Sequence, residues 1–211
     1  MRPIKIAIIA NTTDYKDLKN HPLFSLALKY QVLIVHGEIA SGKTSRGEQI
    51  ANYAKEKGYI VRGIISQRIL RGRETIGYDL VDLDSGKTRP MVYRETEVQG
   101  DEWKPLRGSF LYNEESFENA NRLLVDASYD MDDKTLVVVD EFGHLEAKGL
   151  GVYSGLRAVV ESMGSGGKLL ILCRTDKIDD VLLLFTQTET SLLVIDVSQS
   201  DFKETLADSF I

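Results

Sequence analysis

The sequence predicts an α/β fold, in which a mainly parallel central sheet is flanked by helices. Short apolar runs alternate along the chain with stretches of helical periodicity, which is typical of a sheet covered by helices. Several of these runs are apolar at every position, as strands buried on both faces are. The length of 211 residues and the apolar content of 43% suit one substantial core. We therefore predict a single domain over residues 1–211.

Six apolar runs supply the predicted strands of the core. In chain order they cover residues 4–10, 32–36, 59–66, 136–139, 169–173 and 192–197. The first run belongs to residues 1–30, which we expect to form an N-terminal extension that adds an edge strand. Residues 11–30 are compatible with a helix interrupted by Pro22.

Five stretches have the apolar spacing of helices. Residues 43–57 end at Gly58, a residue suited to a helix C-terminus. Asn113 can cap a helix that begins with two acids and continues with apolar positions through Ala127. The remaining helices are predicted over residues 153–163, over residues 176–185, and after a possible capping box of Ser198 and Asp201.

One section breaks the alternation of strands and helices. Residues 75–83 and 88–94 are strand-like, and residues 84–87 between them contain the Asp and Gly typical of a tight turn. We expect residues 67–112 to form an antiparallel β-hairpin inserted into the core. The arginines at its start are open to three interpretations, namely a lid over phosphates, an RNA contact or a solvated face; they are Arg68, Arg71 and Arg73.

The overall charge and composition exclude several classes of function. A net charge of −6 argues against nucleic acid as a main partner, because neutralising phosphates requires clustered Lys and Arg. The single cysteine, Cys173, fits a reducing compartment. No apolar run reaches the roughly 18 residues of a membrane span, and the start of the chain resembles a strand more than a signal peptide. We expect a cytoplasmic protein without a membrane partner; the sequence identifies no protein partner.

A phosphate-binding loop is the strongest local signal. Residues 37–44 read Gly-Glu-Ile-Ala-Ser-Gly-Lys-Thr, a full match to G-x-x-x-x-G-K-[ST], and they lie between a predicted strand and a predicted helix. Lys43 can reach the β- and γ-phosphates, and Thr44 can place its hydroxyl on Mg²⁺. We therefore predict binding of a nucleoside triphosphate with Mg²⁺. The predicted contacts are Gly37, Glu38, Ile39, Ala40, Ser41, Gly42, Lys43, Thr44 and Ser45.

A second motif supplies two carboxylates. Asp140 and Glu141 follow the apolar residues 136–139, and a P-loop enzyme needs an acid at a strand end as a metal partner. We predict that Asp140 holds the metal with Thr44, and that Glu141 orients or deprotonates an attacking water. The alternative, a strand that ends in two solvated acids, is less favoured because of the phosphate loop upstream.

The order of these motifs resembles the RecA-like branch of P-loop NTPases. Another strand, residues 59–66, lies between the two motif strands in sequence, and a Glu stands beside the metal Asp. In that branch the next strand, here residues 169–173, inserts between the phosphate-loop strand and the acidic strand. Arg174 and Thr175 would then lie near the γ-phosphate as possible sensors. Alternatively, Arg174 forms a surface salt bridge and Thr175 caps a helix.

The chain also resembles a narrower family, the small cancer-related nucleoside triphosphatases, also called thermophilic-type nucleoside phosphohydrolases. The resemblance covers roughly residues 31–185 and rests on residues 59–64, the hairpin residues 76–86 and the acidic residues 139–146. The family motif is Asp-Glu-Ile-Gly-Lys-Met-Glu, and His144 stands where that motif has Lys. We expect His144 to be a partly buried residue that makes hydrogen bonds. The resemblance implies Mg²⁺-dependent hydrolysis of several nucleoside triphosphates, among them ATP or GTP, to diphosphate and phosphate. It implies functional roles for Lys43, Thr44, Asp140 and Glu141.

Two other functions remain open at this stage. A kinase of nucleotides, nucleic acids or small molecules would use the same phosphate cradle with an added acceptor pocket. A nonenzymatic switch would bind nucleotide tightly with negligible turnover. Glu141 beside Asp140 favours water as the acceptor, although a carboxylate there could also deprotonate an acceptor hydroxyl.

Overall fold

The computed structural model describes residues 5–9, 30–198 and 210–211. The predicted helix after Ser198 and most of residues 1–30 lie outside these ranges. The strands are β1 (Lys5–Ile9), β2 (Val32–Gly37), β3 (Ile60–Arg71), β4 (Glu74–Asp82), β5 (Thr88–Arg94), β6 (Trp103–Arg107), β7 (Phe110–Asn113), β8 (Thr135–Phe142), β9 (Lys168–Arg174) and β10 (Ser191–Asp196). They form a ten-stranded sheet in the order β1-β10-β2-β9-β8-β3-β4-β5-β7-β6.

Four α-helices cover this sheet within the described ranges. They are α1 (Lys43–Glu56), α2 (Glu114–Tyr129), α3 (Tyr153–Ser162) and α4 (Ile178–Leu183). The apolar side chains of α1 pack on one face of the sheet, whereas those of α2, α3 and α4 pack on the other. In this part of the chain, no helix combines the length and apolar content needed to cross a bilayer.

The first six strands in spatial order are all parallel, as the apolar runs predict. Residues in β2, β8 and β9 are almost fully buried because helices cover both faces. Strand β9 lies between β2 and β8 and pairs with both. The predicted position of residues 169–173 between the phosphate-loop strand and the acidic strand is therefore confirmed.

The remaining strands are antiparallel and differ in part from the prediction. Strand β3 continues to Arg71, beyond predicted residues 59–66, because its second half pairs with β4. Strands β4 and β5 match the predicted hairpin, and the backbone N–H of Asp82 donates to the carbonyl of Lys87 at 2.9 Å across the turn. Strands β6 and β7 were not predicted, because they are short and half exposed: β6 has five residues and no apolar run, and the apolar run of β7 is only three residues long.

The helices follow the prediction except for the fourth. Asn113 caps α2 by accepting a hydrogen bond from the backbone N–H of Ser116 at 3.0 Å. The predicted helix over residues 176–185 is shorter, since α4 begins only after a 3-10 turn at Thr175–Lys177 and ends at Leu183. Thr186 donates its hydroxyl to the carbonyl of Leu183 at 3.0 Å, a local bond that competes with helix continuation.

Gly63 provides a test of how closely β3 and β8 approach. It has a φ of 103°, and a Cβ atom there would lie 2.1 Å from the carbonyl oxygen of Val138. We expect Gly63→Ala to lower the free energy of unfolding by about 2–5 kcal/mol, through backbone strain and overpacking. Gly58→Ala is the matched control, because Gly58 has a φ of 81° but no atom within 4 Å of such a Cβ. Its expected cost is about 1–2 kcal/mol; equal losses in urea unfolding would contradict the close approach.

Candidate active site

The phosphate loop connects β2 to α1 at the carboxyl edge of the parallel strands. Ala40 and Gly42 both adopt left-handed backbone conformations, with φ values of 61° and 92°. Such a loop turns successive N–H groups toward one concave side, which is a ready anion site. No side chain of the described residues caps the N-terminus of α1, so its first N–H groups are also available.

The two glycines of the motif serve different purposes. Gly42 is required for its positive φ. Gly37 is required for close packing, since a Cβ there would lie 2.5 Å from Val197 Cγ1 and 2.6 Å from Ser41 Oγ. The left-handed conformation of Ala40 had no signal in the sequence, because alanine does not mark this conformation as glycine does.

Lys43 lies inside the loop rather than in solvent. Its side chain is buried, and Nζ donates hydrogen bonds to the carbonyls of Gly37 at 3.0 Å and Glu38 at 2.9 Å. An ammonium has three donors, so these two bonds hold the charge in place and leave a donor for a phosphate oxygen. The loop therefore carries a fixed positive charge at its centre.

Asp140 joins three elements at the end of β8. Its Oδ2 accepts from Thr44 Oγ1 at 2.9 Å and from the backbone N–H of Ser66 at 3.3 Å. The hydroxyl of Ser66 also donates to the carbonyl of Asp140 at 2.8 Å. Burial raises the pKa of Asp140 to about 7, with a further contribution from the charge of Glu141. Ser66 is a site residue that the motifs missed; its position at the end of a predicted strand was the available signal.

The groups around Asp140 fit a divalent metal such as Mg²⁺. Its second oxygen, Oδ1, is buried and has no hydrogen-bond partner among the described residues. Together with the hydroxyl of Thr44 it forms the kind of hard oxygen donor set that Mg²⁺ prefers. No cluster of three His, Cys, Asp or Glu residues occurs in the described ranges. Other ligands would therefore be phosphate oxygens and water, as is usual for Mg²⁺ beside a nucleotide.

Glu141 is influenced by the charges of two cations. Burial raises the pKa of its carboxyl, and the charges of Lys43 and Arg174 oppose that shift. Arg174 is paired in register with Gly37, and its Nε donates to Asp176 at 3.0 Å. Thr175 lies beside His36, with Oγ1 and Nδ1 3.4 Å apart. The structure thus brings Arg174 close to the loop and also shows its predicted salt bridge, while Thr175 does not cap α4.

The segment after the two acids is held by a buried carboxylate. Glu146 accepts hydrogen bonds from the backbone N–H groups of Gly143 at 3.0 Å and Val152 at 3.1 Å. These bonds fix both ends of the turn that follows β8. His144, which we expected to be partly buried and hydrogen-bonded, is instead exposed and bonds to no described residue, because the turn directs it to solvent.

A cavity of about 520 Å³ begins at the phosphate loop and passes the two acids. Ile39 to Ser45 line one end, with Asp140 and Glu141 beyond them. The far end is lined by side chains of β4, β5, β6 and α2, which are distant from the loop in sequence. The volume lies within the range of about 300–1,000 Å³ that is usual for small-molecule sites.

Comparisons with known proteins identify a family model and several relatives that match this chain. A family model described as NTPase matches residues 32–203. The Nucleoside-triphosphatase THEP1 of Pyrococcus abyssi is 30% identical over 129 residues, which is 61% of this chain and 67% of that protein. The protein of the same name from Thermococcus kodakarensis is 27% identical over 157 residues, or 70% of this chain and 78% of that protein.

Two solved structures share the fold. The crystal structure of THEP1 from the hyperthermophile Aquifex aeolicus has a TM-score of 0.58 at 16% identity, and covers 84% of this chain and 95% of that one. The solution structure of a human cancer-related nucleoside triphosphatase has a TM-score of 0.59 at 21% identity. The match covers 84% of this chain and 93% of that one. At these identities the likeness supports the α/β architecture alone.

Proposed function

The chain belongs to the NTPase family, and from that premise we propose that it binds a nucleoside triphosphate with Mg²⁺ and hydrolyses it to diphosphate and phosphate. The observation that carries this proposal is the hydrogen bond of 2.9 Å between Thr44 and Asp140. It joins the phosphate loop to the acidic strand end, two motifs that lie 96 residues apart. That pairing is the arrangement in which P-loop enzymes hold the metal of a bound nucleotide.

The loop would bind the triphosphate through its N–H groups and Lys43. These donors would make charge-assisted hydrogen bonds to the phosphates, and the buried Lys43 would contact the β- and γ-phosphates. Thr44 and Asp140 would hold Mg²⁺, which when bound would neutralise charge that develops on the phosphate oxygens. The cation would also offset the cost of keeping Asp140 ionised where it is buried.

Glu141 would prepare the attacking water. Its carboxylate would accept a proton from water as the water oxygen bonds to the γ-phosphorus and the diphosphate departs. Arg174 would act as a sensor of the γ-phosphate by reaching past Asp176 toward the transferred group. Thr175 would assist from its place beside His36.

Several finer features belong to the same proposal. We expect a single domain of RecA-like type, with residues 1–30 as an extension and residues 67–112 as an inserted hairpin. The substrates would be ATP, GTP or a broader set of triphosphates, and the site of action would be the cytoplasm. A nucleic acid is not expected as a partner, because the net charge is −6. A membrane is not expected either, because no apolar run of the sequence reaches the roughly 18 residues of a span.

The direct test is phosphate release from ATP, GTP, CTP and UTP with Mg²⁺ and without any added acceptor. We expect release of phosphate and diphosphate in equal amounts with at least one triphosphate. Tight binding of all four with negligible turnover would contradict hydrolysis and would favour a nucleotide-dependent switch.

Asp140→Asn should alter the dependence of hydrolysis on Mg²⁺. The amide keeps the shape of the side chain but removes the charge that would bind the metal, so we expect the half-saturating Mg²⁺ concentration to rise about 10- to 100-fold. The measurement is a Mg²⁺ titration of phosphate release at saturating triphosphate. Asp126→Asn is the matched control, since Asp126 is exposed on α2. An unchanged titration for Asp140→Asn would remove this residue from the metal site.

A further inference from the structure

The cavity at the active site is larger than the phosphate cradle, and its two ends differ in chemistry. One end consists of the phosphate loop. The other is walled mainly by apolar side chains, with Met91 and Val92 almost fully buried in that wall. These residues are Tyr78, Met91, Val92, Leu106, Phe117 and Leu145.

The two ends belong to opposite faces of the sheet. The phosphate loop leads into α1, whose apolar side chains pack with the cluster on one face. Met91 and Val92 belong to the cluster on the other face, and Tyr78, Leu106 and Phe117 pack against it. The cavity connects the two faces at the strand ends, where Asp140 and Glu141 lie.

The direction of a bound triphosphate leaves the apolar end vacant. The γ-phosphate has to lie nearest the acids, because Thr44, Asp140 and Glu141 act on that end of the chain of phosphates. The nucleoside of the same molecule then points away from Glu141, while the apolar end lies beyond Glu141 toward β4 and β5. A second molecule in the apolar end would therefore face the γ-phosphate.

Polar groups at the junction suit a hydroxyl-bearing molecule. Tyr78 lines the same cavity as Asp140 and Glu141, and its hydroxyl makes no hydrogen bond within the described ranges. This hydroxyl is therefore an unused donor in the cavity that contains the acids. The cavity lining includes Lys43 and Arg68 together with the acids Glu48, Asp140, Glu141 and Glu146, so it offers an anionic guest no excess of positive charge.

We propose that the apolar end of this cavity binds a nucleoside, and that the enzyme transfers the γ-phosphoryl group of a triphosphate to one of its hydroxyls. A flat, uncharged base suits the side chains of Phe117, Met91 and Leu106, and the sugar supplies hydroxyls toward Tyr78 and Glu141. The proposal rests on the proposed function, because it uses the same phosphate cradle with a different acceptor.

The transfer forms one P–O bond and breaks another. The hydroxyl oxygen of the nucleoside forms a bond to the γ-phosphorus, and the bond from that phosphorus to the β–γ bridging oxygen breaks. The hydroxyl proton passes to the carboxylate of Glu141, and the nucleoside diphosphate leaves with the bridging oxygen. The products are a nucleoside monophosphate and a nucleoside diphosphate, with no change of oxidation state.

The test uses the full chain with ATP, Mg²⁺ and, one at a time, adenosine, guanosine, cytidine, uridine or thymidine at millimolar concentration. Phosphorus NMR separates the monophosphate of the nucleoside, ADP and free phosphate. Glycerol is the control acceptor, since it carries hydroxyls without a flat body. We expect at least one nucleoside to yield its monophosphate, with more ADP than free phosphate, and glycerol to yield no phosphate ester.

The other outcomes separate the two proposals. Equal amounts of ADP and phosphate with all five nucleosides overturn the transfer and leave hydrolysis standing. Absence of a nucleoside diphosphate with each of ATP, GTP, CTP and UTP overturns hydrolysis and the transfer together. Phosphorylation of glycerol as fast as of any nucleoside overturns the assignment of the apolar end as a nucleoside site.

A pair of variants on α2 tests the location. Phe117→Ser removes an aromatic wall of the cavity, and we expect the KM for the nucleoside to rise about tenfold relative to the KM for ATP. Tyr129→Ser makes the same change at a side chain that is 80% exposed on the same helix, and it should change neither constant. Leu106→Ser, on the half-exposed β6, repeats the test on a second wall. The assignment is overturned if the ratio of the KM for the nucleoside to the KM for ATP is unchanged in both wall variants, Phe117→Ser and Leu106→Ser.

Discussion

Lys43→Ala is expected to lower the affinity for a nucleoside triphosphate by about 10²- to 10³-fold. The ammonium of Lys43 is buried in the loop and held by the carbonyls of Gly37 and Glu38. Truncating one partner of a buried charge pair costs about 2–5 kcal/mol, which corresponds to that loss. We expect the fold to persist, because Glu38, whose carbonyl is one of the two released by the change, is exposed to water.

The measurement is calorimetry with a slowly hydrolysed triphosphate analogue, accompanied by thermal unfolding of the free protein. Lys55→Ala is the matched control on the same helix, since Lys55 is exposed and its Nζ contacts only the carbonyl of Leu83 at 3.4 Å among the described residues. Equal affinities for the Lys43→Ala and Lys55→Ala proteins would remove the loop from nucleotide binding.

Glu141→Gln is expected to reduce hydrolysis by about 10²- to 10⁴-fold, the usual contribution of a positioned general base. Nucleotide and Mg²⁺ binding should be retained, because the phosphate loop and the Thr44–Asp140 pair remain. The amide is similar in shape but cannot accept the proton of the attacking water. The change therefore separates the base from the metal ligand, since Asp140→Asn should act on the Mg²⁺ dependence instead.

Single-turnover phosphate release measures this effect directly, with affinity determined on the same preparations. Glu118→Gln, at an exposed position on α2, is the control for loss of one acidic charge. Turnover of the Glu141→Gln protein at the rate of the parent would refute the base mechanism. Hydrolysis would then need a different base, while the role of Asp140 would still depend on its own Mg²⁺ titration.

Much of the site was predictable because its motifs are short and contiguous. The eight residues from Gly37 to Thr44 contain the glycines, the lysine and the threonine of the phosphate loop within one short segment. A strand and a helix flank this segment in sequence. The parallel strands could also be predicted from the sequence. Strands that are buried on both faces are apolar at each position, as residues 136–139 are. The order of β2, β9 and β8 followed from the resemblance to the RecA-like branch and is confirmed by the pairing.

Other features depend on contacts between distant parts of the chain. The hydrogen bonds from Ser66 to Asp140 connect β3 to β8, and no local sequence pattern predicts them. Strands β6 and β7 were missed because a half-exposed strand has little apolar periodicity to detect. His144 was placed wrongly, since the turn fixed by Glu146 decides which way it faces.

The sequence by itself determined the phosphate loop, the two acids and the parallel core, because each depends on the chemistry of neighbouring residues. Only the tertiary structure decided that Tyr78, Met91 and Phe117 share one cavity with Glu141. Those side chains come from two strands and a helix that meet after the antiparallel half of the sheet has formed. They are close to one another because strand order and packing bring together residues that are far apart in the sequence.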